Sequence, residues 1–217
     1  MQKILHISLL LFFISGMPVT AQSAEVSLQT VRAEVYAKKI NIGRLRQMGK
    51  DVLPLMADLY ESSTTSLQKA KIAWSWYKLG WKYERAREVM MPDIHTPDAE
   101  LRLWVQWALG RVSADPQVVA ALVDSMLNDK RVLFRDKAAC ALASDQIHLS
   151  PAEKLPLFQG LIKGLDDPKL QVRKISIKAL KIQTGQTKGY RANAQPGERS
   201  EKVEAWKQWL ETYSQNL

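Results

Sequence analysis

Apolar and polar positions recur in one helical arrangement four times along the second part of the chain, beginning at Gln68, Leu101, Phe134 and Val172. In each copy the second position is basic (Lys69, Arg102, Arg135, Arg173), the eighth is small (Ser75, Ala108, Ala141, Ala179) and the ninth is large and apolar (Trp76, Leu109, Leu142, Leu180). Positions one, five, eight and nine fall on one side of a helix of 3.6 residues per turn. For the second copy these are Leu101, Val105, Ala108 and Leu109, and for the third Phe134, Ala138, Ala141 and Leu142. The small eighth residue lets a neighbouring helix approach. The offsets of 33, 33 and 38 residues are those of stacked helical repeats. A single helix pair cannot cover its own apolar face, so neighbouring pairs must stack.

The remaining segments also read as helix. Leu28 to Ile40 predicts an opening helix, broken by Asn41-Ile42-Gly43. Asp51 opens an amphipathic helix with Leu53, Met56, Leu59 and Tyr60 on one face, and Glu61 to Ser66 is its polar turn. First helices of later pairs are expected near Tyr83 to Met91, Pro116 to Leu127 and Ala152 to Leu165. Pro92-Asp93, Asn128-Asp129 and Asp166-Asp167-Pro168 stand at the hairpin turns, where Asp and Asn cap free amides and Pro starts a helix. Gly80, Gly110 and the Ser150-Pro151 step are the expected breaks between pairs. Ser150 with Glu153 has the spacing of a capping box. Val203, Trp206 and Leu210 form a stripe suited to closing the end of such a stack.

The acidic turns followed by LRLWVQWALG, FRDKAACALA and VRKISIKAL resemble the HEAT repeat, whose second helix carries Arg or Lys after a short acidic turn and then an Ala-Leu pair. The resemblance covers about Leu45 to Gln183. It is closest in the last three copies; in the first, Lys69 replaces Arg and Ser75-Trp76 replaces Ala-Leu. It implies an all-α, right-handed α-solenoid of about four HEAT-like helix pairs with a helical C-terminal cap. It also implies recognition of a protein or polymer rather than catalysis. TGQTKGYRANAQPGERSEKVEAWKQWL, from Thr184, looks like the closing segment of many bacterial HEAT-like proteins, although Arg191 stands where that pattern has Asp. The expected organisation is a signal peptide over 1–21, a repeat domain over 22–183 and a C-terminal turn and capping helix over 184–217.

The signal peptide is read from Lys3, an apolar run from Ile4 to Ile14, Gly16 and Pro18, and the small residues Val19-Thr20-Ala21. The run is too short to span a bilayer, which takes about 20 residues. The expected location is therefore exported, periplasmic or secreted. Its removal takes only Lys3 among the charged residues, leaving thirty Lys and Arg against twenty-two Asp and Glu. In the cell envelope that basic excess suits an anionic polymer, a lipid surface or an acidic protein face, or serves solubility alone. Nucleic acid is not an expected partner. The single cysteine, Cys140, lies in a run of small residues and is expected between helices rather than in a disulfide.

Little in the chain carries catalytic chemistry. His95 and His148 are isolated loop residues, and no paired-Cys or HExxH spacing for a metal occurs. Asp98 with Glu100 and Asp166 with Asp167 sit at helix starts, where capping accounts for them. No catalytic residue, metal or cofactor is expected. Two groups are candidates for partner binding. Trp104 and Trp107 flank the buried face of their helix, filling gaps between repeats or lining a groove. Lys174, Lys178 and Lys181 lie where salt-sensitive contact with an anionic surface would use them. Lys69, Arg102, Arg135 and Arg173 either align as a ridge or bond the acidic turn of their own or the next repeat. The sequence thus points to a non-enzymatic protein-interaction scaffold, with an electrostatic binder of anionic polymer or lipid as the alternative. A hydrolase or lyase with a groove near the tryptophans stands third.

Overall fold

The computed structural model of the chain describes residues 26–145 and 149–217; the expected signal peptide and His148 lie outside them. Regular structure in the described residues is entirely helical. The helices are α1 (Leu28–Tyr36), α2 (Ile42–Gln47), α3 (Val52–Glu61), α4 (Ser66–Leu79), α5 (Glu84–Met90), α6 (Ala99–Val112), α7 (Pro116–Asn128), α8 (Val132–Asp145), α9 (Lys154–Gly164), α10 (Leu170–Thr184) and α11 (Pro196–Gln215). Short 3-10 turns stand at Gly49–Asp51 and Met91–Asp93.

The four pattern-bearing segments are α4, α6, α8 and α10. Leu101, Phe134 and Val172 at position one are buried, as are all four residues at positions five, eight and nine, from Ile72 to Leu180. Gln68, at position one of the first copy, is only half-buried. These helices lie side by side, α4 on α6, α6 on α8 and α8 on α10. The other row runs α3 on α5, α7 on α9 and α9 on α11, and the hairpin contacts α3 with α4, α5 with α6, α7 with α8 and α9 with α10 join the rows. The core is the continuous apolar layer between them, reaching from Val31 on α1 to Trp206 on α11.

Two expected breaks lie elsewhere. The opening helix ends early, at Tyr36, and the break lies over residues 37–41 rather than at Asn41-Ile42-Gly43, because the Asn41 side chain accepts from the Arg44 amide at 3.1 Å. Asn41 therefore starts α2, which contains Ile42 and Gly43. Gly110 does not end α6 but lies buried inside it. A Cβ there would sit 3.0 Å from Ala141 Cβ on α8, so the absent side chain sets the approach of the two helices. That contact outweighs the roughly 1 kcal/mol by which glycine disfavours a helix. The break falls at Ser113 to Asp115, where Asp115 accepts from the Gln117 amide at 2.7 Å and Pro116 opens α7.

Other boundaries follow from local chemistry. Gly80 ends α4 at φ +72°, with its amide on Trp76 O at 2.9 Å. Ser150 and Glu153 make both bonds of a capping box, Ser150 N to Glu153 Oε2 at 2.7 Å and Glu153 N to Ser150 Oγ at 3.3 Å. The Ser150 donors hold the Glu153 carboxyl below its usual range. At the other end the Tyr190 hydroxyl donates to Leu165 O. Val203 and Trp206 are buried and Leu210 half-buried, on a helix that packs against α9. Phe158 of α9 meets Trp209 at 5.1 Å between ring centres.

Candidate functional site

The four basic residues at position two stand just inside the second helices, the first three within reach of the next hairpin's turn. Lys69 Nζ is 2.9 Å from Asp93 Oδ2, Arg102 pairs with Asp129, and Arg135 Nη2 is 2.8 Å from Asp167 Oδ1. Each pair joins one hairpin to the turn of the following one. Arg173 belongs to the last copy and meets no acid of this kind. Its guanidinium donates to the carbonyls of Ala192 at 2.9 Å, Asp167 at 2.8 Å and Pro168 at 3.0 Å. Arg191, where the closing pattern has Asp, pairs with Glu198 at 2.7 Å on the surface. The position-two residues are thus bound internally rather than presented as a ridge.

The outward side of the same helices has a different character. Trp74 and Tyr77 on α4, and Trp104 and Trp107 on α6, are half-buried and their rings meet across the two helices. Ring centres are 6.4 Å apart for Trp74 and Trp104, 5.3 Å for Tyr77 and Trp107, and 5.4 Å for Trp104 and Trp107. The Trp74–Trp104 and Trp104–Trp107 contacts are edge to face, the arrangement the ring quadrupole favours. Cations cover the ring faces. Lys78 Nζ lies 5.6 Å from the Trp74 ring and 5.5 Å from Tyr77, Arg111 lies 5.2 Å from Tyr77, and Lys137 of α8 lies 5.3 Å from Trp107. Beside Trp74 and Trp104 opens a cleft of about 240 Å³, bordered by Leu67, Lys71 and Ile40. Leu67 is 57% exposed. Lys71 turns inward, donating to Tyr36 O and Ala37 O at 3.3 and 3.1 Å, where a cation suits the carbonyl end of α1.

Charge separates between the two helix rows. Helices α4, α6, α8 and α10 carry eleven basic and three acidic residues, whereas α3, α5, α7 and α9 carry four basic and five acidic ones. Lys174, Lys178 and Lys181 are exposed on α10, and none of the three pairs with an acid among the described residues. With α8 standing between α6 and α10 in the row, they form a separate patch from Trp104 and Trp107. Of the aromatic group, the sequence reading singled out only Trp104 and Trp107. Trp74, Lys78, Arg111 and Lys137 were legible at positions four, seven and eleven of the same pattern, the side that flanks the core face.

A second hollow of about 410 Å³ is bordered by His95, Arg102, Ser125, Lys130 and Arg131. Its charges are largely engaged, Arg102 with Asp129 and Asp124 with Asn128. Burial, then the Arg131 charge, lowers the pKa of Arg102. His95 is exposed, with Nδ1 3.5 Å from Arg102 Nη2. Cys140 is half-buried rather than enclosed between helices. Among the described residues no three His, Cys, Asp or Glu side chains gather where a metal ion could be held, and no helix is long and apolar enough to cross a membrane.

No protein-family model matches the chain, and no curated protein matches it in sequence.

Proposed function

We propose that the chain is an exported, right-handed HEAT-like α-solenoid of four helix pairs, closed by α11, that acts as a non-enzymatic binding scaffold for another protein in the cell envelope. The two helix rows in contact along their length and the position-two bridges between successive hairpins support the solenoid reading. The observation that carries the binding role is the aromatic group Trp74, Tyr77, Trp104 and Trp107 on the outward side of α4 and α6. Aromatic side chains with an open polar rim are the residues that anchor protein interfaces. Ion pairs between hairpins hold the face in one shape, so recognition proceeds with little ordering cost.

The test is affinity capture of the chain with a C-terminal tag, cross-linked in the envelope of its own host. One protein is expected with the parent chain and with Lys174, Lys178 and Lys181 changed to Glu, and is lost with Trp104→Ala and Trp107→Ala together. A second reading, electrostatic binding of anionic polymer or lipid, is favoured by the exposed lysines of α10. Recovery of only such material, lost in the Glu variant, establishes that reading and removes the first.

A further inference from the structure

We infer that the edge formed by the starts of α8 and α10 rests on an anionic lipid surface, with Val132, Leu133 and Leu170 entering the headgroup layer and Lys130, Arg131 and Lys169 meeting lipid phosphates. This contact goes beyond the scaffold reading and uses none of the aromatic group on α4 and α6.

Both helices open with cations followed by aliphatic residues, Lys130-Arg131-Val132-Leu133 leading into α8 and Lys169-Leu170 into α10. Val132 is 38% exposed, Leu133 44% and Leu170 39%, and Lys130, Arg131 and Lys169 are exposed as well. The two starts are neighbours on one edge. Helix α8 packs along α10, and Arg135 in the first turn of α8 reaches Asp167 in the turn before α10 at 2.8 Å. The acids of these turns are largely engaged. Asp129 pairs with Arg102 and accepts from the Arg131 amide, and Asp167 pairs with Arg135. Lys130 and Lys169 meet no acid among the described residues, and the Arg131 guanidinium lies 4.6 Å from the Phe134 ring. Asp166 stays exposed in the same turn as Lys169, while Lys174, one turn beyond Leu170 on the same side of α10, adds a further exposed cation. No side chain caps α10 at Lys169, and the amino-terminal ends of both helices add partial positive charge to the edge. At the start of α6, by contrast, Asp98 and Glu100 take the place of cations, which confines the patch to α8 and α10.

Residue type separates lipid from other anionic surfaces. Protein interfaces are anchored by Trp, Tyr and Arg and are poor in Lys, Leu and Val. Here the exposed apolar residues are all aliphatic, and two of the three cations at the helix starts are lysine. A soluble anionic polymer pairs with the cations but leaves the three aliphatic side chains in water. A bilayer interface takes both, since its phosphates meet the cations while aliphatic groups enter the boundary with the acyl chains.

The experiment is co-sedimentation of the chain, purified from the envelope of its host with its natural N-terminus, with vesicles of phosphatidylcholine alone or mixed with phosphatidylglycerol. The chain binds the anionic vesicles, more weakly at high salt, and not the neutral ones. Lys130→Glu with Lys169→Glu weakens binding by about tenfold or more, since each cation near an anionic surface is worth about fivefold. Val132→Ser, Leu133→Ser and Leu170→Ser together weaken it by about fivefold or more. Lys39→Glu with Lys50→Glu, a change of equal charge beside α1 and α3, weakens it by less than about twofold, since distant exposed charges are screened. Trp104→Ala with Trp107→Ala leaves it unchanged. Circular dichroism confirms that the variants are folded. Absence of binding to anionic vesicles, equal loss in the two Glu variants, or loss in the Trp variant overturns the inference. Full retention by the Ser variant, with polyuronate binding as well as vesicles, marks an effect of charge alone and also overturns it. Absence of vesicle binding alongside capture of a protein partner overturns it while leaving the scaffold reading in place.

Discussion

Arg135 on α8 and Asp167 in the turn before α10 lie 2.8 Å apart, with side chains only 14% and 5% exposed. Asp167 Oδ1 also accepts from the Lys169 amide at 2.7 Å, and its carbonyl accepts from Arg173. One carboxylate therefore joins α8 to the next hairpin, shapes that hairpin's turn and lies beside the arginine of the following copy. Asp167→Ala leaves Arg135 buried without its counter-charge, and should lower unfolding free energy by about 3 kcal/mol. The equivalent Asp93→Ala breaks a more open pair, 28% and 20% exposed, but also takes the acceptor from the buried Tyr60 hydroxyl, with an expected loss of about 2 kcal/mol. Urea denaturation of the two variants checks the order. Equal losses would show that burial of the pair is not what decides the cost.

Gln106 is fully buried on α6, and among the described residues neither its amide nitrogen nor its oxygen has a partner. Removing both polar atoms at nearly constant shape should stabilise the chain. Gln106→Met is expected to raise unfolding free energy by about 1 kcal/mol, seen as a rise of roughly 2–4 °C in Tm for a domain of this size. A fall in Tm would mean that the amide is satisfied in solution.

Gly160 marks a close approach of α9 to α7. A Cβ there would sit 2.5 Å from Val123 Cγ1 and 2.8 Å from Cγ2, and a β-branched side chain has few rotamers to escape into. Gly160→Ala gains about 1 kcal/mol in helix propensity against an overpacking cost of about 1–3 kcal/mol, so a small net loss is expected. Adding Val123→Ala should recover stability relative to Gly160→Ala alone. Thermal melts of the single and double variants decide it, and no recovery would place the strain elsewhere.

Tyr60 donates to Asp93 at 2.8 Å, beside Lys69. Burial first, then the Asp93 charge and the hydrogen bond to it, push the phenol far above its ordinary value. The unfolded phenol ionises near pH 10. Because the folded value is the higher one, this group's contribution is fully present below about pH 10 and is lost as pH rises above it. Denaturant titrations across that range should show stability falling with pH, and Tyr60→Phe should flatten the fall. An unchanged slope in the variant would assign the loss to other groups.

Much of the fold was legible because helix periodicity is a local property. Leu101, Val105, Ala108 and Leu109 share a face by spacing alone, and all are buried. Gly80 and Asp115 could be understood within their own few residues, as a left-handed cap and an acid before a proline. Gly110 could not. Its reason lies in Ala141, on a different helix, and without that contact a glycine near the end of an apolar stretch reads as a stop. The break near Asn41 was misplaced for a local reason instead, since an asparagine starts a helix as readily as it ends one. The candidate site was visible only in part. Trp104 and Trp107 stood out by residue type, whereas Lys78, Arg111 and Lys137 acquire meaning from the rings they face across helix boundaries.

By itself the sequence determined the helical periodicity, the recurrence of the pattern and the burial of its apolar side, because these follow from spacing along one chain and the exclusion of apolar surface from water. Only the tertiary structure decided which acid Lys69, Arg102 and Arg135 each meet, and that Arg173 meets backbone carbonyls instead. It also gathered four aromatic rings and their cations on one side of α4, α6 and α8, with Lys174, Lys178 and Lys181 on the next helix of the row. Such contacts join residues tens of positions apart, and their geometry exists only once neighbouring helices have packed.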